Sequence, residues 1–164
     1  MNQHQEKNNT YTSVIPFAIE LGFFAGLFWG TIHWFFYVLK FTKIIPAYLV
    51  EPFFKHEFLN SGAGHLIGLL AFIVFSILVS MLYVSLFRKM NGPWPGVIYG
   101  IIWWLLVFML FGPLFNMVKP LSALTATTII SEFCLYLLWG LFIGYTIAME
   151  FTDERMREPN EVES

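Results

Sequence analysis

Charge is scarce in this chain of 164 residues: Asp, Glu, Lys and Arg make up 12%, about half the roughly 25% of an ordinary soluble domain. Cysteine is nearly absent. The single thiol, Cys134, excludes an internal disulfide framework and a thiolate metal cluster, and within an apolar run it acts as a small hydrophobe. No run of basic residues offers a surface that tracks phosphates, so nucleic acid is not an expected partner. The motifs that carry catalysis are missing too. No glycine-rich phosphate loop follows a strand, and neither a Gly-x-Ser-x-Gly elbow nor a His-Glu-x-x-His occurs. The chain reads as a non-enzyme, with no catalytic residue, cofactor or metal site expected.

What is present is apolar. Hydrophobic residues make up 57% and aromatics 20%, and the mean hydropathy is +0.66. Four stretches with almost no charge, 14–39, 65–87, 95–115 and 127–149, each have the length needed to cross a hydrocarbon layer roughly 30 Å thick, about 20 residues. Their continuity favours helices, because barrel strands alternate apolar and polar residues. The remaining pieces are too short to bury a core of their own. The expectation is an all-α integral membrane four-helix bundle with short loops. A polar tail (1–13) precedes the four-span domain (14–149), and an acidic tail (150–164) follows it. The first apolar run exceeds the about 7–15 residues of a signal peptide and reads as a retained span.

Four spans put both termini on one face. That face would hold Lys7, Arg88, Lys89, Arg155 and Arg157, against Lys40, Lys43, Lys55 and Lys119 on the other. The short loop 88–94, with its adjacent basic pair, weighs most under the positive-inside rule and points to cytoplasmic termini in a cell membrane. The loop 40–64 is unusual. Pro46 and Pro52 break any long helix, and Tyr48, Phe53, Phe54 and Phe58 alternate with charges, as in a segment lying at headgroup level. It reads as an interfacial connector, the alternative being a lid or re-entrant loop over a substrate path.

Ten of the twelve glycines fall four residues apart: Gly22, Gly26 and Gly30; Gly64 and Gly68; Gly92, Gly96 and Gly100; Gly140 and Gly144. Residues at that spacing share one helix face, and a face without side chains lets another backbone approach closely. Helix packing within one bundle is expected, with a leftover groove available for a second copy. The pattern Gly-x3-Gly-x3-Gly-x3-Trp recurs at 22–34 and 92–104, as a duplicated helical hairpin would produce. Gly68 aligns with Leu138 at the same offset, which argues against duplication.

Few polar groups lie inside the spans. At 100° per residue His33 falls about 20° from Gly22, on the glycine face. Glu20 falls on the opposite side, near enough to the helix start to snorkel. Glu132 sits roughly 7–8 Å below the surface of span four and His33 roughly 9 Å deep in span one. Their depths match. Thr128, Glu132, Trp139, Thr146 and Glu150 form one stripe, and His65, Ser76, Ser80 and Tyr83 form another on span two. An ionisable group in lipid is a functional candidate by default, so His33, Glu132 and, nearer the entrance, His65 are the candidate polar site. Interhelical hydrogen bonding is one use of such a pair. Proton or ion exchange in a small transporter is the other.

The stretch Trp94-Pro95-Gly96-x-x-Tyr99-Gly100-x-x-Trp103-Trp104-Leu105-Leu106-Val107-Phe108, with Leu135-Tyr136-Leu137-Leu138-x-Gly140-Leu141-Phe142-x-Gly144-Tyr145, resembles the YqhR-type conserved membrane proteins of Bacillus and relatives. The resemblance covers roughly residues 15–150. It implies a four-span protein of a Gram-positive plasma membrane and transfers no catalytic residues. The expected role is a structural or accessory component of the plasma membrane, in contact with the lipid bilayer and with a second copy or another membrane protein. The acidic tail 150–164 is available to a cytoplasmic partner. The purified chain should stay dispersed only in detergent. Size-exclusion chromatography after detergent dilution checks this, and a monodisperse peak without detergent contradicts it.

Overall fold

The computed structural model describes residues 14–87, 90 and 92–156, with side chains through residue 151. The tail 1–13, the Arg88–Lys89 pair and everything beyond Met156 lie outside the described residues. So do Lys7, Arg88, Lys89 and Arg157, on which the orientation expectation rests, and most of the acidic tail.

Four helices are long and apolar enough to cross a membrane. They are α1, Val14–Val38; α2, Gly62–Phe87; α3, Trp94–Leu114; and α4, Ala126–Met156. Among the described residues there is no strand. Local chemistry sets the ends. Lys40 takes a left-handed φ of 62° while Lys40 N–H donates to Tyr37 O and Phe41 N–H to Phe36 O, which closes α1 in the double-bonded pattern of a helix C-terminus. Ser61 Oγ accepts from Gly64 N–H at 3.2 Å and so caps α2. α4 runs past 149, where the acidic tail was expected to begin. Glu, Arg and Met are good helix formers, and no proline intervenes before Pro159.

α3 is not uniform. Leu106–Phe111 is a π-helical turn, with Gly112 N–H bonded to Val107 O. Pro113 follows at once. It has no N–H to donate and its ring crowds the preceding turn, so the wider turn lies where an α-helix would be strained. The turn buries Val107 and Phe108.

The bundle is two helical hairpins. α1 packs chiefly on α2, and α3 on α4. Glycine makes both contacts. A Cβ added at Gly22 would lie 2.5 Å from Ile77 Cα, and one at Gly26 would lie 2.6 Å from Ile73 Cα. In the other hairpin glycine meets glycine: Gly96 and Gly100 face Gly140 and Gly144, and a Cβ on Gly96 would come within 2.7 Å of Gly140 O. Between hairpins the residues are large. Phe75 meets Trp103 and Trp139, with centroids 5.1 and 5.7 Å apart. Tyr83 meets Tyr99 at 4.9 Å, and Tyr99 O–H donates to Val79 O.

Three glycines do other work than span-to-span packing. Gly92 has nothing within 4 Å and a φ of +93°; it lies before α3 begins and serves the turn, which corrects its assignment as a packing residue. Gly64 and Gly68 seat the loop 40–61. A Cβ at Gly64 would lie 2.5 Å from Leu59 Cα, and one at Gly68 the same distance from Ala47 Cα.

The outward faces are apolar. Leu66, Leu70, Val74, Leu78, Leu82 and Leu86 form one exposed row on α2, far more than a water-facing surface carries and what acyl chains require. Gly140→Val should destabilise by at least about 1–3 kcal/mol, since the obstructing atoms are backbone and cannot repack. Gly62→Ala, with nothing within 4 Å, should be neutral or stabilising by up to about 1 kcal/mol. Thermal unfolding in detergent reads both, and equal stability of the two variants contradicts the zipper.

A buried histidine–glutamate clamp

The loop 40–61 divides into two halves. Its second half carries exposed Phe53, Phe54 and Phe58 on the outside, as an interfacial connector does, and turns inward at Leu59. Its first half enters the bundle. Thr42, Ile44, Ile45, Ala47 and Tyr48 are all buried, and residues 44–50 are the longest uncharged stretch of the loop. Gly68 provides the room, because only a residue without a side chain lets Ala47 sit against α2.

This insertion meets α1 and α4 at one carboxylate. Glu132, 1% exposed, and His33, 3% exposed, are joined by a 2.9 Å contact between His33 Nε2 and Glu132 Oε1. Thr42 O–H donates to the same Oε1 at 2.5 Å. Thr42 Oγ1 in turn accepts from Ile44 N–H, and Lys43 N–H donates to Thr128 Oγ1 at 3.3 Å. Glu132 Oε2 is buried without a hydrogen-bond partner. One proton serves the pair: either Nε2–H donates to the carboxylate, or the carboxyl O–H donates to a bare Nε2.

Aromatic groups enclose the cluster. The Tyr48 and Tyr136 hydroxyls hydrogen-bond to each other. The Tyr48 ring stands edge-on to His33, centroids 5.6 Å apart, and stacks on Phe108 at 6.5 Å. Phe108 stands edge-on to Tyr136 at 5.8 Å, so the π-turn of α3 contributes to the enclosure. Burial, with Tyr136 and Glu132 adding to it, pushes the Tyr48 hydroxyl well above its ordinary range. It stays neutral and able to donate. Along α4 toward the termini, Trp139 is fully buried between Phe72 and Phe75, and its Nε1–H donates to Ser76 Oγ at 3.0 Å.

The two polar stripes read from the sequence therefore touch at Trp139 and Ser76 and do not continue as one hydrogen-bonded line. Ser76 is taken by Trp139, and Ser80 Oγ and Tyr83 O–H are buried without partners. Thr146 bonds within its own helix to Phe142 O. His65 is not brought to Glu132; its ring lies against Trp34 and Tyr37. Glu20 is exposed on α1. Among the described residues no three His, Cys, Asp or Glu side chains converge as a metal site. Thr42, Tyr48 and Tyr136 are the participants that periodicity missed, and the uncharged run 44–50 was the available signal for the inserted loop.

On the face opposite the termini, between the two connecting segments, lies a cavity of about 520 Å³ bounded by Lys43, Tyr48, Glu51, His56 and Lys119 among others. Tyr48 thus borders both this cavity and the His33 ring.

The family described as conserved membrane protein YqhR matches residues 1–162. The uncharacterised protein YqhR of Bacillus subtilis (strain 168) is 36% identical over 148 residues, covering 90% of this chain and 83% of that protein. No solved structure matches. Glu132→Ala removes the acceptor of two hydrogen bonds and should destabilise more than His33→Ala or Thr42→Val, each of which should cost about 1–2 kcal/mol. Unfolding in detergent measures the order, and a Glu132→Ala protein as stable as the wild type contradicts the clamp.

Proposed function

Starting from the fact that this chain belongs to the YqhR family of membrane proteins, we propose that it is a non-enzymatic structural or accessory component of the plasma membrane. In this reading its buried polar groups lock one connecting segment onto the bundle. The carrying observation is that one oxygen, Glu132 Oε1, is hydrogen-bonded to α1 through His33 and to the inserted loop through Thr42. Two of the serine hydroxyls that a nucleophilic mechanism would use are engaged elsewhere: Ser61 caps α2 and Ser76 accepts from Trp139. The termini face the cytoplasm, where the acidic tail 150–164 would engage a partner protein. The span glycines Gly22, Gly26, Gly96, Gly100, Gly140 and Gly144 are occupied within one chain, so a second copy would dock through other surfaces.

A second reading, a small proton- or ion-coupled transporter using His33 and Glu132, draws on the unpartnered Glu132 Oε2 and the cavity that reaches Tyr48. The cluster of Phe72, Phe75 and Trp139 between α2 and α4 favours the first. Proteoliposomes carrying the chain should show no proton or cation flux above that of empty vesicles, and His33→Ala and Glu132→Gln should leave the traces unchanged. Flux that requires both residues would reverse the order of the two readings.

A further inference from the structure

The cavity on the face opposite the termini touches the clamp through Tyr48 and has its own chemistry. Its apolar walls include Ile45 and Val118, both buried, and its charged margin carries Lys43 and Lys119. Its one carboxylate, Glu51, is already held by His56 Nδ1–H at 2.5 Å. Among the described residues, neither lysine has an acidic partner. The two lysines thus border a space whose one carboxylate already has a hydrogen-bond partner. A volume of about 520 Å³ is that of a site for a small organic molecule.

The setting adds a constraint. Both walls are connecting segments at one end of the bundle, at headgroup depth, and beside them Phe53, 80% exposed, Phe54 and Phe58 project outward as interfacial anchors do. A ligand entering here meets cations first and apolar surface beneath. We propose that this cavity binds a phosphate-type anion between Lys43 and Lys119, and that a lipid carrying it lays its apolar portion against Ile45 and Val118. The inference stands whether or not the His33–Glu132 clamp is structural. The anion is either the headgroup of an anionic lipid or a free phosphate group.

The test uses the full chain in detergent, with intact-mass measurement of retained ligand. Phosphatidylglycerol, phosphatidylcholine and inorganic phosphate are the three probes. Phosphatidylglycerol retention should exceed that of phosphatidylcholine, and should fall about twentyfold in the Lys43→Ala/Lys119→Ala variant. It should persist in Lys43→Arg/Lys119→Arg, and in Lys55→Ala, which removes a cation absent from the cavity lining. Lysine-dependent retention of phosphatidylglycerol supports a lipid source. Lysine-dependent retention of inorganic phosphate without phosphatidylglycerol supports a free phosphate group. Equal retention of both lipids by the wild type, or phosphatidylglycerol retention unchanged by the double alanine substitution, overturns the site.

Discussion

Lipid gives helices no hydrophobic reason to associate, because acyl chains solvate leucine as well as leucine does. Contact must come from close backbone approach and from hydrogen bonds, and both are distributed here with a clear division. Glycine is used inside each hairpin, where Gly96 and Gly100 lie against Gly140 and Gly144 and Gly22 and Gly26 against α2. Large rings are used between hairpins, where Trp103, Trp139, Phe75, Tyr83 and Tyr99 fill a wider gap. Close packing of backbones gains dispersion energy over many atom pairs. The aromatic seam gains area and leaves room for something else to enter.

What enters is the loop segment 42–48, and its polar groups explain why the buried ionisable pair is tolerable. A carboxylate in lipid is strongly unfavourable unless it is paired. Glu132 answers that requirement twice at one oxygen, through an imidazole and a threonine hydroxyl. Because those partners come from two different elements, hydrogen-bonding the carboxyl group also fixes geometry. The π-turn in α3 belongs to the same arrangement, since it brings Phe108 against both Tyr48 and Tyr136.

The helices were legible in the sequence because apolar runs of spanning length have few alternatives in a chain with so little charge. His33 and Glu132 could be matched from depth and from the glycine face alone. The inserted loop was harder. Charges alternating with aromatics at 51–58 describe an interfacial segment correctly, and the preceding 44–50 shares the loop without carrying a charge. Gly64 and Gly68 have the spacing of a helix-packing pair, yet they receive a loop backbone, and spacing cannot name the partner. The stripe on α2 pointed inward as expected, but facing α4 it meets Trp139, whose ring closes the space that a periodicity argument leaves open. Pairwise filling is a tertiary property, invisible to the period of either helix.

The segment 42–48 also fixes an order of assembly. Its hydrogen-bonding partners, Thr128, Glu132 and Tyr136, lie 85 to 90 positions later in the chain. During synthesis the first hairpin can close on its glycines as soon as both of its helices have left the ribosome, but Thr42 and Tyr48 must wait for the last helix to be inserted. Until then the bilayer holds a half-molecule with an unanchored loop and an unmet histidine. A chain truncated before the fourth helix would therefore leave Thr42, Tyr48 and His33 without these partners.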